Sequence, residues 1–331
     1  MELRAPGKQD KTLPPIGPDA RSTARYQKAI EQEVVNMAAS YEWWIRARYR
    51  AALSANVDAG RVPDMAQDAA PGASANDMFS ELARLQKYWR SYFAKFARKL
   101  AEQAAQSWFD DNVTGWNGKL KRAGFDIKMQ LTPSQRLILD TKIPENVALI
   151  TSIHEDYHKD IEGIVSRSFL AGRDLSTMAE QIKARGQVST HRAAFIALDQ
   201  ANKATAQMNS ARQRELSIRF GVWIHSSAGK EPREKHVRAG REQWIFDTQV
   251  GIDFGDGFGH VLPGIAIRCR CVSRSIIPAI GRGDIMSFDD LDPVPGYPGA
   301  YRAKAGKSAG PKSKQDVTKT RSPAGSPVKY S

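Results

Sequence analysis

Cysteine is almost missing from this sequence: Cys269 and Cys271 are the only two among 331 residues. That count excludes a disulfide-stapled secreted scaffold, so folding must rest mainly on buried apolar surface. The first 20 residues lack an apolar stretch and carry prolines and lysines instead, which argues against a signal peptide. No run approaches the roughly 18 apolar residues of a membrane span. No P-loop motif exists, which excludes NTPases of that type. Acidic residues are in deficit, 36 against 49 Lys and Arg, giving a net charge of +13 and a pI near 9.7. Such an excess favours a polyanion, either nucleic acid or an acidic protein face, although it also serves solubility.

What is present is enough to fold. The chain is 41% hydrophobic and 26% charged. Pro6, Pro14, Pro15 and Pro18 forbid a helix in residues 1–20, which read as a flexible arm. Ile30, Val34, Met37, Tyr41 and Trp44 step by four and three, so a helix is expected from about Ser22 to Leu53. Residues 54–75, rich in Ala, Gly, Pro and Asp, read as a linker. Met78, Leu82, Leu85, Trp89, Tyr92, Phe96 and Leu100 mark a second helix from about Asp77 to Asp110, ended near Gly115 and Gly118. The two should pair as a helical hairpin spanning 21–119, its aromatic stripe either core or a docking face. Pro133, Pro144 and Gly186 should break 120–220 into shorter helices, one starting at Asp174 or Ser176 and another at Ser189 or Thr190.

From Gly221 the period shortens. Val222-Trp223-Ile224, Gln243-Trp244-Ile245-Phe246, and a run from Ile265 through the cysteines to Ile277 read as strands. The expected fold class is therefore α+β, mainly α. A helical middle (133–220) leads into a small antiparallel β module (221–280), and a disordered basic tail (281–331) follows. Residues 301–331 hold eight Lys or Arg and one Asp. Arg302, Lys304, Lys307, Lys312, Lys314, Lys319, Arg321 and Lys329 are thus the candidates for nonspecific contact with DNA phosphates.

Four motifs bear on chemistry. His154-Glu155-Asp156-Tyr157-His158 is a formal HExxH, the pattern in which two histidines on one helical face grip zinc and the Glu activates water, with Glu180 at the distance of a third ligand. A polar surface face explains the same residues more simply. Gly255-Asp256-Gly257-Phe258-Gly259 resembles a phosphate-cradling loop, but Pro263 blocks the helix such a loop requires, so a turn is the better reading. Arg233, His236, Arg238 and Arg241 form a basic cluster beside Trp223 and Trp244, suited to phosphate or peptide contact or simply solvated. Cys269-Arg270-Cys271 carries the clearest signal. On a strand the two thiols face one way, and a bridge between them would approach the limit of disulfide geometry. A shared soft metal fits better: a structural Zn²⁺ held by Cys269, Cys271, His236 and His260, with His225 in reserve. Two small buried thiols remain the simpler alternative.

Read together, these residues resemble the Mu F-like phage head-morphogenesis family of minor head proteins. The resemblance runs through residues 143–280, within an expected domain of 120–280. It is carried in order by Asp199, Gln200 and Lys203, then Trp223, Arg233, His236 and Gly240, then Pro263, Cys269 and Cys271. Leu198 and Arg268 depart from the family pattern. The resemblance implies a non-enzymatic virion protein made in a bacterial host's cytoplasm. It would sit in the head near the portal, touching portal, capsid or scaffold proteins and nonspecific DNA, with no membrane partner. The competing readings are a zinc peptidase using 154–158, a toxin-type enzyme carrying a Mu F-like module, and a host nucleic-acid-binding protein.

Overall fold

The computed structural model describes residues 12–58, 71–125, 129–170, 175–227, 232–277, 285 and 287–307. Four long helices come first: α1 (Ala20–Asp58), α2 (Pro71–Arg122), α3 (Pro133–Leu170) and α4 (Leu175–Glu215). A strand, β1 (Thr12–Leu13), precedes them. After them come β2 (Phe220–Ile224), α5 (Glu234–Arg241), β3 (Ile245–Asp247), β4 (Ile252–Asp253), β5 (His260–Val261), β6 (Val272–Ile276), β7 (Leu291–Pro293) and β8 (Tyr301–Ala303). None of the described helices is long and apolar enough to cross a membrane. The chain divides into two compact units, to both of which α2, α3 and α4 contribute residues.

One unit comprises Asp19–Ser107 and Leu139–Ala201. Asp19 opens α1 by accepting the backbone N–H groups of Arg21 and Ser22 at 2.8 and 2.9 Å, which satisfies donors that a helix start leaves orphaned. Trp89 Nε1 donates to Ser40, and Arg48 reaches Glu81, so α1 and α2 run antiparallel. Tyr26 pairs with Asn146 and Tyr41 with His158, so α1 and α3 run parallel. Arg192 meets Asp156 and Gln200 meets Glu145, which sets α4 antiparallel to α3. The result is an up-down-up-down four-helix bundle. Its core takes Ile30, Val34, Met37 and Tyr41 from α1, and Met78, Leu82, Leu85 and Trp89 from α2, as their spacing predicts. Farther along α2 the fully buried positions are Phe93 and Ala97, while Tyr92, Phe96 and Leu100 flank them.

The predicted helix breaks are overridden. α3 passes straight through Pro144. The missing Pro144 N–H leaves the Asp140 carbonyl without its helical donor, but both residues are exposed, where water replaces the bond. Gly186 does not stop α4. A Cβ there would come within 3.2 Å of the Ala38 Cβ, so this glycine lets α4 approach α1 closely. α2 likewise continues past Gly115 and Gly118 to Arg122. The suggested helix start at Asp174 and residues 59–70 of the expected 54–75 linker lie outside the described residues, while the two ends of that linker are helical, in α1 and α2.

The other unit comprises Met1–Pro18, Trp108–Ile138 and Asn202–Ser331. Its main sheet has the order β1-β6-β2-β3-β8-β7, antiparallel throughout, and β4 and β5 form a separate hairpin. Strand alternation divides its core. Phe220, Val222 and Ile224 join Ile245, Ile276 and Leu291 on one face. Trp223 and Phe246 join Trp244, Phe254, Cys269 and Cys271 on the other, beneath Ala239 of α5.

Two sequence expectations fail here. The arm is strand-paired from Thr12, which lies opposite Ile276. Order also does not fade after Pro278 throughout, because β7 and β8 extend the sheet to Ala303. Residues 308–331 of the expected tail lie outside the described residues.

Candidate metal centre

The site forms where three segments converge on one face of the sheet. β2 and β6 pair with Gly221 opposite Ser275 and Ile224 opposite Val272. One step further, this register sets His225 opposite Cys271, and directly opposed residues share a face. The cysteines therefore sit just ahead of β6 rather than on a strand. A turn brings them in: Cys269 N donates to the Ala266 carbonyl at 2.8 Å, and Arg268 takes a left-handed φ of 59°. The in-out alternation survives, with both thiols buried while Arg268 is exposed and Arg270 partly so.

The third segment is α5. His236 and Gly240 are one helical turn apart on its inner face. Gly240 has to be glycine, because a Cβ there would lie 2.5 Å from the His225 Cβ and 2.7 Å from its backbone nitrogen. The His236 ring is fixed against Trp223 and Phe254, with centroids at 5.0 and 4.4 Å. Its Nδ1 stands 3.6 Å from Cys269 Sγ and 3.8 Å from Cys271 Sγ. Ligand atoms of all three residues fall within 4.8 Å of one another, and each residue is less than 5% exposed. Among the described residues no other group of three or more metal-type ligands gathers so closely.

The cluster favours one thiolate. Interaction with the Cys271 sulfur, with His236 alongside, lowers the Cys269 thiol against the cost of burial. The same interaction and burial raise Cys271 well above a free thiol. Trp223 and the Ser226 backbone lie against the Cys271 sulfur and temper that rise.

The site is braced by Arg233 and Arg238 of the basic cluster expected from sequence, together with Lys235, Glu242 and Arg302. Arg233 donates to the Ile267 carbonyl at 2.8 Å, and Lys235 to the Phe254 carbonyl at 2.6 Å. Arg238 lies over the Trp244 and Tyr297 rings. Glu242 accepts from Arg238, Trp244 Nε1 and Arg302, and these bonds hold its carboxyl down at about 2. Much of this cluster is therefore internal bracing.

Of the four ligands expected from sequence, the structure brings three together and leaves His260 out. His260 is exposed on β5, opposite Asp253 in the separate hairpin. Gly255, Gly257 and Gly259 form the turn of that hairpin, with positive φ and no helix behind it. Pro263 is buried beside α4, and the adjoining Gly264 leaves room for Ala206. Asp199 and Gln200 are buried, and Trp223 is fully so. Of the eight basic tail candidates, Arg302 pairs with Glu242, and Lys307 pairs with Asp290 at 2.7 Å. Lys304 is exposed after β8. Lys312, Lys314, Lys319, Arg321 and Lys329 lie outside the described residues.

The HExxH histidines do not lie on the polar surface face expected of them. His154 and His158 point into the bundle, 0% and 5% exposed, while Glu155 and Glu180 are exposed. The His154 ring stacks on Phe93 at 5.8 Å.

Residues 159–274 match the family model described as Phage Mu protein F like protein. This stretch runs from the middle of α3 into β6 and contains all three clustered ligands. An uncharacterized protein of Haemophilus influenzae is 27% identical over 213 residues, which is 63% of this chain and 46% of that protein. The chain thus spans about half the length of this relative. No solved structure matches.

Proposed function

We propose that this chain is a minor structural protein of a tailed-phage head. The observation that carries the reading is its Mu F-like region, residues 159–274. Several features support an attachment role over turnover. Arg233, Lys235 and Arg238 brace the segments around α5 through hydrogen bonds to the Ile267 and Phe254 carbonyls and to Glu242. The inward histidines of α3 disfavour a peptidase.

The partners follow from two surfaces. On the bundle, Trp43 and Tyr88 are 60% and 54% exposed, and large exposed aromatics suit docking to protein. We assign these exposed aromatics to contact with the portal or a neighbouring capsid or scaffold protein. The five basic residues of 308–331 are assigned to nonspecific DNA contact within the head.

Mass spectrometry of purified particles of the encoding phage tests the reading, combined with co-purification with that phage's portal protein. The chain should be present in particles, and Trp43→Ala with Tyr88→Ala should weaken portal capture. Particles that lack the chain and still form at normal yield overturn the proposal.

A further inference from the structure

We propose that His236, Cys269 and Cys271 bind a structural Zn²⁺ and that His225 completes its tetrahedron. This stands apart from the phage-head reading and rests on geometry. Zinc binds thiolate sulfur at about 2.3 Å and imidazole nitrogen at about 2.0–2.1 Å, so a tetrahedral site sets the two donors about 3.6 Å apart. The observed separations of 3.6 and 3.8 Å between His236 Nδ1 and the two sulfurs match that edge. Both sulfurs also crowd one nitrogen within a buried shell, an arrangement that bonding to a common centre rewards. Two cysteines and two histidines are a recognised structural zinc set.

His225 is the fourth ligand for two reasons. The β2–β6 register puts it opposite Cys271 on the same face. Its backbone also rests on Gly240, one turn along α5 from His236. Its Nδ1 accepts the Ser227 N–H at 3.2 Å, so the neutral ring carries its proton on Nε2, and ligation requires releasing this bond and turning the unprotonated Nδ1 to the metal. The ring lies outside the 4.8 Å group, so closing the site takes a rotation of this half-buried side chain. His260, in the other hairpin, has no such route.

The site has a structural purpose. α5 has only eight residues, and its N-cap Arg233 makes no side-chain capping bond. So short a helix is not stable by itself. The metal would clip it to β2 and to the entry of β6. With every clustered ligand under 5% exposed, a substrate has no access, so the ion serves folding and not catalysis.

The experiment uses the full chain expressed in zinc-replete medium. Elemental analysis should find one zinc per chain. Cys269→Ser, Cys271→Ser and His236→Ala should each abolish stoichiometric zinc. His225→Ala should lower affinity about tenfold or more, and His260→Ala should change nothing. Because ligand variants can misfold, Co²⁺ titration of the unaltered chain gives a second reading. Thiolate-to-cobalt charge-transfer absorption with intense tetrahedral visible bands is expected. Absence of both zinc and the thiolate–cobalt band overturns the site. Unchanged affinity in His225→Ala, or zinc loss in His260→Ala, overturns the fourth ligand.

Discussion

The hydroxyl of Tyr41 lies 3.1 Å from Nδ1 of His158, a buried contact that ties α1 to α3. Burial raises the Tyr41 hydroxyl far above its ordinary value, so it stays protonated beside the imidazole. One turn earlier, burial together with His158 and Arg90 pushes His154 from 6.5 down to about 4. His158 is lowered as well, chiefly by burial. Folding therefore favours neutral rings. The stability from His154 is fully present above pH 6.5 and is lost as pH falls toward about 4, because the unfolded chain takes up the proton first. The effect is on the order of 3 kcal/mol. Denaturant melts at about pH 7.5 and about pH 4.5 should show it, and His154→Leu should shrink the difference. Equal differences in both proteins would remove His154 as the cause.

Asn209 bridges three groups. Its Oδ1 accepts from Asn112 Nδ2 at 2.8 Å and Trp116 Nε1 at 3.0 Å, and its Nδ2 donates to the Ile16 carbonyl at 2.8 Å. Asn209→Ala would strand at least two buried polar groups, each costing about 1–3 kcal/mol. Equilibrium unfolding should show a loss of about 3 kcal/mol or more. A loss under about 1 kcal/mol would mean water substitutes fully.

Gly240→Ala should destabilise even though alanine is the better helix former by about 1 kcal/mol. The added methyl would meet the backbone of His225, which cannot swing aside as a side-chain tip could. Overpacking of this kind costs about 1–3 kcal/mol. Thermal melts of the two proteins decide the sign, and a stabilised variant would refute the close approach.

Removing residues 308–331 takes away five Lys or Arg. If all five neutralise phosphates, the slope of log affinity against log salt should flatten by about 4.5. Titration of duplex DNA across a salt series measures it. An unchanged slope would free the segment of any DNA role and move that contact elsewhere on the basic surface.

Sequence periodicity located the cores of α1 and α2 because an amphipathic stripe depends only on local spacing. It misplaced helix ends wherever packing outweighed a local breaker, as at Gly186 against Ala38 and at exposed Pro144. β7 and β8 escaped notice because they are three-residue strands at and next to the sheet margin. Leu291-Asp292-Pro293 shows no alternation, and its proline is tolerated because β7 is an edge. At the candidate metal centre, residue chemistry pointed to His236, Cys269 and Cys271. Choosing between His225 and His260 required strand register, which no spacing along the chain encodes.

The pairing of Thr12 with Ile276 has a consequence for biosynthesis. The ribosome must translate more than two hundred further codons before Leu13 finds the neighbour that covers it. The residues of the bundle unit end at Ala201, so that unit can close while β2 to β8 are still unmade. During that interval the early strand is an uncovered apolar end. A pause or truncation late in translation would thus leave a finished bundle carrying an unfinished sheet.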